Sequence, residues 1–276
     1  MYIGRFAPSP TGPLHLGNAF AAWVAHARAR NAGGKLILRV EDLDTPRVVS
    51  GCEQEQLDDL AWLGITWDEL YRQSERGPSY ESAIQRLITS KRIYACTCSR
   101  KQLQVSSAPH GAEGPRYPGT CRDLGLPLKG RALRFDTRGC EQTFVDAWFG
   151  ARSEDVDRER GDFIVRRADA MIAYQLAVVV DDIAMGITEV VRGVDLIDST
   201  SRQLCLYQAL EAVAPRFAHV PLVVAANGEK LSKRAPSHTL RGLRQAGVSV
   251  TTLRAWLDEA SARGGRVTTL PAPDFK

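Results

Sequence analysis

Long apolar runs are missing from this sequence. Its most apolar stretch, Met171 to Val180, falls well short of the roughly 20 residues that a bilayer-spanning helix requires. The opening MYIGRFAPSP has neither the basic stretch nor the apolar core of a secretory leader. A cytoplasmic protein with no membrane partner is the expectation. Internal repeats, low-complexity tracts and coiled-coil heptads are also missing, which argues against solenoids, fibres and disordered linkers. So is a strong excess of one charge: 36 Lys and Arg against 32 Asp and Glu leave +4, a balance that fits a polyanionic partner without demanding one. Cysteine is scarce. Six in 276 residues are too few for the disulfide framework of a secreted chain and read as reduced or metal-bound thiols. Cys52, Cys140 and Cys205 stand apart in segments that read as helix, loop and helix, where a small buried hydrophobe is the ordinary role.

What is present begins with strand, tight loop and helix. Tyr2 to Phe6 is short and apolar, Ala7 to Pro13 carries three prolines and a glycine, and Leu14 to Arg30 is helix-forming. Gly33 and Gly34 end that helix, and Lys35 to Glu41 reads as a mostly buried strand, completing a βαβ unit of the kind that builds parallel sheets. A nucleotide-binding α/β domain follows from this. Helices are expected at Glu53 to Leu63 and Pro78 to Arg92, and a strand around Tyr94 to Cys98. From Ser99 to Lys129 the chain turns rich in Ser, Gly, Pro and Arg, as in an inserted subdomain whose core is too small to stand without a staple. Strands at Arg131 to Phe135 and Gln142 to Asp146, a helix at Ile172 to Met185, a strand at Thr188 to Arg192, a helix at Ser199 to Val213 and a strand at Val220 to Ala225 restore the α/β alternation.

Two distant segments carry chemistry. Pro8-Ser9-Pro10-Thr11-Gly12-Pro13-Leu14-His15-Leu16-Gly17-Asn18 joins the first strand to the first helix, where free N–H groups and the helix dipole favour a phosphate. Gly228-Glu229-Lys230-Leu231-Ser232-Lys233-Arg234 places three cations within five residues after an apolar strand. Taken singly, a histidine at a helix start is a capping or packing residue and a basic run is a solvated loop. Paired in this order, they resemble the two ATP-binding signatures of class I aminoacyl-tRNA synthetases. The segments Arg5 to Gly12, Leu38-Arg39-Val40-Glu41-Asp42 and Gly186 to Gly193 resemble glutamyl rather than glutaminyl synthetases. Only 42 residues follow Arg234, where glutamyl-tRNA synthetases continue into helical anticodon-binding domains. That shortfall is similar to the glutamyl-Q tRNA(Asp) synthetase family, a stand-alone catalytic core.

The resemblance implies a class I Rossmann-type α/β fold, its parallel sheet split by a zinc-stapled insertion, with a short helical C-terminal part. The expected organisation is 1–95 and 131–225 for the two halves of the catalytic domain, 96–130 for the zinc-binding insertion, and 226–276 for the basic loop and C-terminal region, without an anticodon-binding domain. It implies ATP-dependent activation of L-glutamate without tRNA, then transfer to queuosine in the anticodon of tRNA(Asp), by a monomer. A short glutamyl-tRNA synthetase charging a 3′ end, or a non-catalytic tRNA-binding paralogue, are the alternatives. The carboxylate nucleophile is already ionised, so catalysis rests on positioning and charge. By resemblance His15, Lys230 and Lys233 are catalytic, and Pro8, His15, Gly17, Asn18, Lys230, Ser232 and Lys233 bind ATP with Mg²⁺. Arg5, Phe6, Ala7, Pro8, Ser9, Glu41, Tyr174 and Arg192 take glutamate, Arg5 suiting a carboxylate and Glu41 an ammonium. Cys96, Cys98 and Cys121 supply three zinc thiolates. The fourth ligand is open between His110, the conventional choice, and Tyr117, which the resemblance implies. Asp42 and Asp44 read as capping the following loop or pairing with Arg47, and Asp181-Asp182 receive no role. Arg241, Arg244 and Arg254 are candidates for tRNA phosphates.

Overall fold

A computed structural model describes residues 1–99, 116–225, 228, 231, 238–263, 268–273 and 275. It opens with β1 (Ile3–Phe6), α1 (Leu16–Asn31) and β2 (Lys35–Val40). Helix α1 starts where His15 caps it: the ring Nδ1 accepts from the N–H groups of Gly17 and Asn18, and the Asn18 side chain accepts from the His15 N–H, a reciprocal capping box. Its end needs glycine, because a Cβ at Gly34 would lie 2.3 Å from the Tyr2 carbonyl oxygen. Leu16, Ala19, Phe20, Ala22 and Ala25 of α1 are buried in the main core with Leu36 and Leu38 of β2.

The chain continues through α2 (Cys52–Trp62), β3 (Glu69–Arg72), α3 (Gly77–Thr89), β4 (Ile93–Cys96), β5 (Ala132–Phe135), β6 (Glu141–Asp146), β7 (Gly150–Asp155), the short α4 (Val156–Glu159), β8 (Phe163–Arg166) and α5 (Tyr174–Ala184). It ends with β9 (Glu189–Gly193), α6 (Ile197–Ala209), β10 (Arg216–Val220), β11 (Leu222–Val224), α7 (Leu240–Gln245), α8 (Val250–Ala262) and β12 (Thr269–Pro271). The main sheet has the order β3-β2-β1-β9-β10-β6-β7 and is parallel except for the β6–β7 hairpin at its edge. From β1 the chain builds outward through β2 and β3, then returns on the other side with β9. The β1/β9 boundary is therefore the switch point at which ligands enter parallel sheets, beyond the carboxyl ends of the strands.

An antiparallel β4-β5-β8 sheet forms a second layer. Its core joins Ile93, Leu133, Phe135, Phe163 and Val165 to α3, α5 and α6. The mostly parallel α/β architecture agrees with the sequence reading, while several elements shift. The strand expected at Val220 to Ala225 is two, β10 and β11, broken at Pro221, which has no N–H for a ladder. Strands β3, β7, β8 and β12 were not anticipated. β7 is polar and exposed along most of its length and exists because it pairs with β6. The C-terminal region is not purely helical: β12 pairs with β11, and Leu240, Leu243, Leu253, Leu257 and Leu270 join the main core.

Candidate active site

The loop from Ala7 to Leu14 is clamped from outside. Gln56 of α2 donates from Nε2 to the carbonyls of Ser9 (3.1 Å) and Gly12 (2.8 Å), and the backbone N–H groups of Glu41 and Val49 donate to Pro8 and Pro10. Because the His15 Nδ1 is an acceptor at both 3.1 and 3.3 Å, a neutral ring carries its proton on Nε2, a donor suited to a phosphate oxygen. Gly17 leaves room for that ring, since a Cβ there would stand 3.0 Å from its Cε1. The C-terminal region closes over the turn: Leu240 N–H donates to the Leu14 carbonyl, and His15 bridges to Thr239. Leu231 of the basic loop is buried in the same core as Leu14 and Leu16. Lys230, Ser232 and Lys233 lie outside the described residues.

Across the switch point, Arg5 lies on β1, Glu41 follows β2, Arg192 lies on β9 and Tyr174 begins α5. Arg5 donates from Nη1 to the Val191 carbonyl (3.0 Å) and pairs with Asp182 at 3.7 Å, while its buried Nε has no acceptor. Arg39, fully buried in β2, binds Asp182 at 2.6 Å, Glu41 at 3.3 Å and Asp181 at 3.7 Å. Asp181 also accepts from Gln73, Tyr80 and Arg76. Burial pushes the Glu41 carboxyl up to about 6, against the pull of Arg39 and Arg5. Burial, with help from Glu41, raises the Tyr174 phenol, opposed by Arg192, Arg5 and Arg39. Four of the residues expected for glutamate thus share one electrostatic environment.

Arg192 is held differently. Nε donates to His219 Nε2 (2.9 Å), Nη1 to Gln203 Oε1 (2.8 Å) and Nη2 to Thr200 Oγ1 (2.8 Å). Gln203 is itself fixed by Gln175, which donates onward to Ser199. All three acceptors are neutral, and among the described residues no carboxylate lies within ion-pair distance of this guanidinium. Burial lowers its pKa, with Arg5 adding to that push. An anion placed beside it relieves the cost of burying an unpaired charge.

Sequence reasoning missed Arg39, Asp182, His219 and Asp146. Arg39 had a signal, being the one charge inside an apolar strand. Asp146 and His219 are 73 residues apart and had none. Asp181 and Asp182, left without a role, bind the buried Arg39, and of the pair Asp42 and Asp44 it is Asp44 that lies 3.7 Å from Arg47, while Asp42 accepts from Ser74.

At the end of β4, Cys96, Cys98 and Cys121 bring their sulfurs within 4.8 Å of one another. Tyr117 OH stands 3.5 Å from both Cys96 Sγ and Cys98 Sγ, and Cys98 and Cys121 are also 3.5 Å apart. Zinc bonds of about 2.3 Å to sulfur and 2.0 Å to oxygen set tetrahedral neighbours roughly 3.5 to 3.8 Å apart, so this donor set fits a zinc ion. Arg134 donates to Cys96 Sγ (3.3 Å) and lies 3.8 Å from the Tyr117 ring centre, a cation where thiolates would concentrate negative charge. His110 lies outside the described residues. Cys52, Cys140 and Cys205 are buried.

The catalytic-domain model of class I tRNA synthetases for Glu and Gln matches residues 3–256. A glutamyl-Q tRNA(Asp) synthetase from Symbiobacterium thermophilum is 47% identical over 92% of this chain and 84% of its own length. Its counterpart from Geobacter sulfurreducens is 43% identical over 99% and 92%. The chain belongs to the glutamyl-Q tRNA(Asp) synthetase family. Among solved structures, a glutamate tRNA ligase from Elizabethkingia meningosepticum in complex with its amino acid superposes with a TM-score of 0.74 at 30% identity, covering 84% of this chain. The chain spans about half that ligase, 52% of its length. Among the described residues, no helix is long and apolar enough to cross a membrane.

Proposed function

We propose that this protein is an ATP-dependent ligase that activates L-glutamate to glutamyl-adenylate and transfers glutamate to queuosine in the anticodon of tRNA(Asp). The observation that carries the substrate assignment is Arg192, buried on neutral acceptors beside Arg5, Tyr174 and Glu41. Arg5 and Arg192 suit the two carboxylates of glutamate, and Glu41 suits its ammonium. Phe6, Ala7, Pro8 and Ser9, which follow Arg5 along the chain, are assigned to the same glutamate site. ATP, with Mg²⁺, takes the loop from Pro8 to Asn18, where His15 Nε2 and the first N–H groups of α1 meet its phosphates. The α-carboxylate of glutamate attacks the α-phosphorus of ATP, the bond to the β,γ-diphosphate breaks, and pyrophosphate leaves. Lys230 and Lys233, with Ser232 between them, neutralise the charge that moves onto it. A queuosine hydroxyl then attacks the activated carbonyl, releasing AMP. Cys96, Cys98, Tyr117 and Cys121 hold one structural zinc ion, which ties the insertion to β4 and takes no part in the reaction.

Glutamate-dependent ATP–pyrophosphate exchange without tRNA tests the activation step. Exchange is expected with the wild type, and Lys233→Ala should lower its rate far more than its apparent glutamate affinity. Exchange that requires tRNA, or that survives the loss of Lys233, contradicts the mechanism.

A further inference from the structure

Behind Arg192 stands a buried chain that the proposed reaction does not touch. Asp146, at the end of β6, lies 2.6 Å through Oδ2 from His219 Nδ1, and His219 Nε2 is the acceptor for Arg192 Nε at 2.9 Å. Asp146 and His219 are 1% and 0% exposed. Asp146 also accepts from the backbone N–H groups of His219, Trp148 and Phe149, so its carboxylate is locked by the hairpin turn. Arginine has no acceptor lone pair and cannot give up its proton here. The imidazole nitrogen facing it must therefore be bare, and the other must carry the hydrogen. A carboxylate on the far side enforces that tautomer, as an aspartate does for the histidine of a serine-protease triad.

We infer that Asp146 and His219 are positioning residues that fix the neutral Nδ1–H tautomer of His219 and thereby aim the Arg192 guanidinium at the substrate carboxylate. The negative charge of Asp146 reaches Arg192 only through the ring. Arg192 is thus partly balanced without being neutralised by direct contact, and its outer edge stays available to an anion. Thr200 and Gln203, one turn apart on α6, complete the cradle. With the ring turned to its other tautomer, two N–H donors would face each other, and the guanidinium would lose its aim.

This rests on the reading of the pocket as a glutamate site, and the experiment separates the two. In the wild type, ¹⁵N spectra of the imidazole should show His219 neutral and protonated at Nδ1; protonation at Nε2, or on both nitrogens, overturns the inference whatever the substrate is. In pyrophosphate exchange, H219N keeps a donor toward Asp146 but removes the acceptor facing Arg192. It should raise the glutamate KM by roughly tenfold or more with the ATP KM little changed, while Tm falls modestly because the buried Arg192 N–H loses its acceptor. H219Q, whose carbonyl can reach Arg192, should restore most of that loss, which a merely space-filling role would not predict. A folded H219N with the wild-type glutamate KM, or an H219Q no better than H219N, overturns the positioning role. A wild type that activates a different amino acid would overturn the glutamate reading while leaving the tautomer result standing.

Discussion

Glu41 follows β2 and pairs with Arg39 at 3.3 Å, yet burial outweighs the pull of Arg39 and Arg5 and holds its carboxyl at about 6. The sign of the consequence is fixed by the substrate. The ammonium of glutamate is charged throughout the accessible range, so on the proposed reading it needs Glu41 as an anion, and the anion is present above about pH 6 and lost below it. The glutamate KM should be flat above about pH 7 and climb toward tenfold per pH unit below 6, while kcat changes less, because bound ammonium itself favours the ionised form. Steady-state exchange between pH 5.5 and 8 checks this, and Glu41→Gln should raise KM at every pH and remove the step. A step that persists in that variant would assign the titration elsewhere. At this scale the sequence was informative where a motif marked a residue: Arg5, Glu41 and Arg192 each feel, or are felt by, the charge environment of Tyr174. It was silent on the partners that orient them, since contacts such as Arg39 with Asp182 and Arg192 with His219 join segments far apart in the chain.

Among the elements, the loop before α1 and the cysteine cluster after β4 were legible because each carries a local chemical constraint. A histidine that caps a helix needs a glycine beside its ring, and three thiols in a small polar insertion need a reason to be close. Strands β3 and β7 were not legible, because their side chains are polar or half-exposed and only pairing with β2 and β6 makes them strands. Tyr117 is the less conventional metal donor. Burial first, then hydrogen bonding with the cysteines, raises its phenol, so it becomes a phenolate only beside a cation. One zinc per chain is expected. Cys98→Ser should lose it and His110→Ala should keep it by elemental analysis, with Tm falling in Cys98→Ser as the insertion loses its staple. Retention in the first variant, or loss in the second, contradicts the Cys96, Cys98, Tyr117, Cys121 set.

Over the whole molecule, one mostly parallel sheet carries Arg5 on β1, Glu41 after β2 and Arg192 on β9, and the C-terminal helices are part of the main core. Their arginines, proposed for tRNA phosphates, also hold the fold together. Arg241 binds Glu55 at 2.5 Å, Arg244 approaches Asp59 at 3.8 Å and Arg254 donates to the Leu63 carbonyl at 2.8 Å, all on or just beyond α2. These arginines fasten the C-terminal region to the helix that carries Gln56, and so to the loop proposed for ATP. Sequence alone showed their charge but not where it is spent, because the pairing depends on how α7 and α8 return to α2. The central claim is the destination of the activated glutamate, and labelled glutamate followed into tRNA measures it directly. With ATP and the protein, label should enter tRNA(Asp) only when queuosine is present, and should still enter an isolated anticodon stem-loop that carries it. Label on a 3′-terminal adenosine, or equal labelling of tRNA(Asp) without queuosine, would contradict the account.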